Sequence, residues 1–124
     1  MVDTHAFAGY LTDSLPSRPD RIFRDSESEE CTIVIPSVAV AELIYVFEKT
    51  GTKSKIWDMF DRLDSSPSLN IYVLDEEVLK IVPDIELKEL HDRIIVATCR
   101  LIKAKGLITK DEEITRSRIV RTIW

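Results

Sequence analysis

The stretch CTIVIPSVAVAELIYVF, residues 31–47, decides the fold class. Cys31–Ile35 is a short, nearly continuous apolar run, the pattern of a parallel strand covered on both faces. Pro36 and Ser37 break the run, and Ser37–Thr50 continues at helical spacing until Gly51. A strand that delivers directly into a helix is the opening half of a βαβ unit. Thr32, Pro36, Ser37 and Glu42 interrupt the apolar character of this stretch, so it is not a bilayer span.

Working outward, Asn70–Leu74 (NIYVL) reads as a second strand, Leu107–Thr109 (LIT) as a shorter third, and Ile119–Trp124 as a candidate last one. Helical spacing covers His5–Asp13, with Phe7, Tyr10 and Leu11, and Pro19–Glu30, with a proline in a first-turn position. Lys53–Ser65 sets Ile56, Phe60 and Leu63 on one face. His91–Lys105 carries Ile94, Ile95, Thr98, Leu101 and Ile102, with basic residues in its last turn and Gly106 as a C-cap. The alternation predicts one α/β domain over residues 1–124 with a mostly parallel sheet. No repeat, linker or low-complexity segment interrupts it. Only Met1 and Val2 precede Asp3, so either the first strand is stunted or the natural chain begins upstream.

A chain of 124 residues is long enough for one core and too short for two. Its 44% apolar and 31% charged residues exclude both disorder and membrane embedding. Seventeen basic against twenty-two acidic side chains leave a net charge of −5. Proteins that hold nucleic acid mainly by counterion release are usually basic, so a nucleic-acid partner here requires a divalent metal or a locally basic rim. Lys49, Lys53 and Lys55, Lys103, Lys105 and Lys110, or Arg116, Arg118 and Arg121 are candidates for that rim, although most are expected to be solvated helix faces. The opening MVDTHAF has neither a basic segment nor an apolar core, which predicts a non-secreted, cytoplasmic protein. Cys31 and Cys99 fit buried thiols of a reducing compartment. With no CxxC pair and only two histidines, a structural zinc site is excluded.

Ligands of an open α/β sheet bind beyond the carboxyl ends of the strands, and acids fall there. Asp3 and Asp111 follow expected strands, and Asp92 lies in the first turn of a helix. Each is also what a helix N-terminus selects as a cap or dipole partner, as is Asp75 followed by Glu76 and Glu77. Glu42 is the only charge in Val38–Phe47, on a helix expected to be buried all round. Either a basic side chain pairs with it or it holds a cation. Asp3, Glu42, Asp92 and Asp111 taken together, without His or Cys partners, suit a hard ion such as Mg²⁺ or Mn²⁺. Such a site activates water and offsets phosphate charge in an in-line displacement.

Four segments, DTHAF at Asp3–Phe7, PSVAVAEL containing Ser37 and Glu42, HDRIIVATC at His91–Cys99 and LITKD at Leu107–Asp111, together resemble the PIN domain, in particular its VapC-like toxin ribonucleases. The closing VRTIW is similar to the ends of many of these short proteins. The resemblance implies a three-layer domain with a central parallel sheet of four or five strands flanked by helices. It implies a metal-dependent endoribonuclease that leaves a 5′-phosphate and a 3′-hydroxyl, with Asp3, Glu42, Asp92 and Asp111 around Mg²⁺ or Mn²⁺. Thr4, Ser37 and Thr109 match the family's small hydroxyl positions, which orient carboxylates or water; ordinary helix capping explains them as well. A homodimer and a cognate VapB-like antitoxin are further implications, beside the RNA substrate and without a membrane partner. Arg93 and His91 flank Asp92 within reach of a phosphate, while lone histidines such as His91 and His5 are more commonly structural.

Three other readings fit less of the sequence. A receiver domain would make Asp75 the phosphoacceptor but needs adjacent acids after the first strand, where Thr4 follows Asp3. A haloacid dehalogenase-type phosphatase needs an aspartate where His5 stands. A PIN fold that no longer cuts and serves as a scaffold would tolerate Asp92→Asn without consequence.

Overall fold

The computed structural model describes residues 1–124. Four short strands form two parallel pairs: β1 (Ile33–Pro36) with β2 (Leu69–Tyr72), and β3 (Leu107–Ile108) with β4 (Thr122–Ile123). Residues 1–3 join the pairs. The Val2 N–H donates to Val34 O at 3.1 Å on one side, and on the other Ile108 N–H donates to Met1 O at 2.8 Å and Asp3 N–H to Ile108 O at 3.1 Å. Val2 bridges Ile108 in parallel register. The order is therefore β2-β1-(residues 1–3)-β3-β4, with the stunted first segment at its centre.

Side-chain alternation explains why three layers form. Val2, Ile33, Ile35 and Ile108 point into one core with Phe7, Phe23, Leu43, Met59 and Leu63. Met1 and Leu107 point to the opposite face, into a second core with Val78, Ile94, Ile95, Val96 and Ile114, and Val34 packs against that second core. This is the period of two that a strand imposes on its neighbours. Helices α1 (Thr4–Leu11), α2 (Ser17–Glu27), α3 (Ser37–Lys49) and α4 (Ser54–Ser65) contribute to the first core. Helices α5 (Glu76–Ile81), α6 (Leu90–Leu101) and α7 (Glu112–Ser117) cover the second.

Two expectations are corrected. Helix α6 ends at Leu101, with Lys103 in the left-handed region at φ 51°, so Gly106 is not its C-cap. Gly106 instead enters β3 so close to β4 that a Cβ would stand 2.8 Å from Ile123 Cδ1. Helix α3 is not buried all round: Ala39, Val40, Leu43 and Phe47 are covered, but Tyr45 is 63% and Val46 44% exposed. No helix is long and apolar enough to cross a membrane.

Candidate metal centre

Residues 1–3 stand between β1 on one side and β3 on the other in the parallel order, and the strand order switches there, which opens a crevice at the carboxyl ends of these strands. A cleft of about 310 Å³ occupies that place, lined by Asp3, Thr4, His5, Glu42, Val46, Glu89, His91, Asp92, Ile95 and Asp111. It is not the largest concavity. A cavity of about 480 Å³ at the amino ends of the strands, bordered by Met1, Ile33, Lys103, Lys105 and Gly106, is larger, but mostly apolar.

Local structure sets each acid. Asp3 is buried at the start of α1, where its Oδ1 accepts the Ala6 N–H at 2.7 Å. Asp111 starts α7 in the same way, its Oδ1 accepting the Ile114 N–H at 2.7 Å. Asp92 lies in the first turn of α6 and accepts no hydrogen bond from the protein. The starts of three helices thus contribute to one cleft, and their dipoles offset part of the repulsion among five carboxylates, Glu89 included. Asp75, by contrast, caps α5 outside the cleft, accepting the Val78 N–H at 2.9 Å.

Glu42 is held on both oxygens. His91 Nε2 lies 2.8 Å from Oε1, and the Thr4 hydroxyl donates to Oε2. A cleft histidine rather than a distant lysine or arginine is therefore the partner of the lone acid on α3. Thr109 is buried behind the acids: its Oγ1 accepts the Asp111 N–H at 2.9 Å, and its hydroxyl favours the charged form of Asp3. Ser37 and Arg93 lie elsewhere. Ser37 Oγ accepts the Leu74 N–H at 3.0 Å, tying α3 to the segment after β2. Arg93 turns away to donate to Val82 O at 3.1 Å, so its guanidinium does not line the cleft.

Clustering shows in the protonation of Asp92, whose carboxyl is pushed up to about 6, by burial first and then by the charge of Asp111, with smaller contributions from Glu42 and Asp3. His91 opposes the shift. Burial likewise raises Asp3, against the pull of Thr109, the Ala6 N–H and His5. An acid whose charged form is disfavoured by burial and by neighbouring carboxylates is one that a cation would relieve. The donor set, carboxylates with few imidazoles and no thiolate, fits a hard divalent ion. The side chains do not form a finished cage: no three donors converge on one point. Asp3, Glu42 and Asp111 are turned instead to the local donors named above.

The model of the PIN domain matches residues 1–119. The chain belongs to the PIN domain family. Two solved structures share its PIN fold. A chain of VapBC2 from Rickettsia felis, bound to a DNA fragment from their promoter, superposes with a TM-score of 0.77 at 17% identity, over 99% of this chain and 96% of that one. A chain of a toxin-antitoxin complex from Klebsiella pneumoniae gives 0.67 at 17% identity, over 99% and 94%. No curated protein matches the sequence. For this PIN domain, the expected α/β architecture with parallel strands between helical layers stands.

Glu89 is a cleft residue that the sequence did not single out, and His91, noted there only as a flank of Asp92, is the partner of Glu42. Residues of one first helical turn share the helix mouth, and the mouth of α6 faces the crevice.

Proposed function

We propose that this PIN domain, residues 1–124, is a Mg²⁺- or Mn²⁺-dependent endoribonuclease and the toxin of a VapBC-type pair. The observation that carries the reading is the meeting of Asp3, Glu42, Asp92 and Asp111 in one cleft at the carboxyl ends of the central strands. These four would hold the ion, with Thr4 and His91 fixing Glu42, the Ala6 N–H fixing Asp3 and Thr109 fixing the start of α7. A divalent ion bound there supplies the charge that offsets a phosphodiester and activates water for in-line displacement. The side chains supply position: Asp3, Asp92 and Asp111 stand at helix starts and Glu42 within α3, rather than on free loops. Helix starts also favour a phosphate directly, since their N–H groups point at the ligand. The net charge of −5 is consistent with binding RNA through metal and a local rim rather than a broad basic face. Chains of similar fold occur in toxin-antitoxin complexes, which supports a VapB-like antitoxin as partner, with a homodimer as the working assembly.

Purified protein with Mn²⁺ is expected to cut a fluorescent single-stranded RNA internally, leaving 5′-phosphate ends. Excess EDTA should stop the cutting and fresh Mn²⁺ restore it. Cutting that persists in EDTA would remove the metal from the account. Mn²⁺ binding without cleavage of any of several RNAs would point to a narrow target or a sealed dimer, and neither binding nor cleavage would favour the scaffold.

A further inference from the structure

We infer that the exposed face of α3 next to the cleft, Tyr45 with Lys49, is a binding track for single-stranded RNA. The inference rests on the nuclease reading above and names how that site takes its substrate. Glu42, Tyr45, Val46 and Lys49 share one side of the helix, because residues three, four and seven apart fall on one face. At a rise of 1.5 Å per residue, Tyr45 stands about 4–5 Å and Lys49 about 10 Å along the axis from Glu42. Glu42 and Val46 line the cleft. Tyr45 is 63% exposed, and Lys49 Nζ lies 6.0 Å from its ring centroid. An acid for the ion, an aromatic face and a cation thus follow one another outward from the cleft.

That order matches a nucleic-acid strand better than a protein partner. The face is continuous with the cleft through Glu42 and Val46, and it runs outward to the cation of Lys49 beside the Tyr45 ring. A strand with its scissile phosphate in the cleft presents a base and then a further phosphate to the same side. Tyr45 stacks the base, and Lys49 neutralises the phosphate beyond it. Stacking on a side chain requires an unstacked base, so the track selects single strands over duplex.

The test measures anisotropy of a labelled 12-nucleotide single-stranded RNA on Asp92→Asn protein, in Mn²⁺, so that cleavage does not interfere. Adding Tyr45→Ala is expected to weaken binding about tenfold, the scale of one lost base stack, while Tyr45→Phe stays within about twofold. Lys49→Gln should lower the slope of log affinity against log salt by about 0.7, one single-strand phosphate contact. Duplex RNA should compete poorly. Unchanged affinity in Tyr45→Ala overturns the track, and a dimer that becomes monomeric on the same substitution assigns the face to a second copy. If Asp92-intact protein cuts RNA and Tyr45→Ala cuts it equally well at all concentrations, only this inference fails. If neither protein binds or cuts RNA, the nuclease reading fails with it.

Discussion

Asp92→Asn is expected to cut RNA at least about a hundredfold more slowly than the parent chain, beyond the loss typical of removing a mere supporting partner of a metal ligand. The same variant is expected to melt at a higher temperature in EDTA. The two effects share one cause. Asp92 shares the cleft with Asp3, Glu42 and Asp111, and burial and their charges push its carboxyl up to about 6. A folded value above the ordinary 3.8 means that the native state binds the proton more tightly than the unfolded chain does. Stability from this group is therefore lost as pH rises between 3.8 and about 6, and the full penalty stands at pH 7. Such a shift corresponds to about 3 kcal/mol in full. Solvent screening of a half-buried carboxyl reduces that to about 1–2 kcal/mol. The amide variant escapes the penalty and should melt about 4–8 °C higher in EDTA at pH 7. Its advantage should shrink steadily toward pH 4, where Asp92 is protonated in both states. Saturating Mn²⁺ should reverse the order, since an ion that binds only the folded parent raises its stability. A variant that melts lower than the parent in EDTA at pH 7 would mean that the acids do not repel one another.

Val2→Pro is expected to cost about 3 kcal/mol or more. Val2 is fully buried, and its N–H donates to Val34 O where residues 1–3 join the two strand pairs. Proline removes that donor at the centre of the sheet, a position it otherwise avoids. The shift also moves Asp3, the next residue, so activity should fall with stability. Val2→Ala keeps the N–H and loses only methyl groups, for about 1–2 kcal/mol. Denaturant titration of the two variants separates the causes. Equal losses would mean that Val2 contributes burial alone and that the backbone seam contributes little.

Continuous apolar runs made β1 and β3 legible, because a strand covered on both faces is apolar at every position, whereas β2 carries Asn70, leaves Ile71 exposed and ends at Tyr72, two residues short of the apolar run. The first segment was not legible in that way. A single bridging residue lies below any periodicity window, and its place at the centre of the sheet comes from hydrogen bonds to Val34 and Ile108, far away in sequence. The exposure of Tyr45 and Val46 was hidden for a different reason: an apolar helix looks the same whether its outer side is covered or left open. Gly106 carried the right residue type for a cap, but the tight approach of Ile123 explains it instead. Among the site residues, Asp3, Glu42, Asp92 and Asp111 were legible as acids at strand ends, on an apolar helix or at helix starts, and they share a cleft. Ser37 and Arg93 carried suitable chemistry, yet Ser37 is committed to Leu74 and Arg93 to Val82. His91 was the reverse case. A lone histidine has no pattern to read, and only the fold brings it to 2.8 Å from Glu42.

The central claim is that the cleft acids jointly hold a divalent ion, and calorimetric titration of Mn²⁺ into the parent chain, Asp92→Asn and Glu42→Gln tests it most directly. Saturable binding to the parent, weakened at least about tenfold in each variant, is the predicted result. Binding of equal strength in all three proteins would contradict the account.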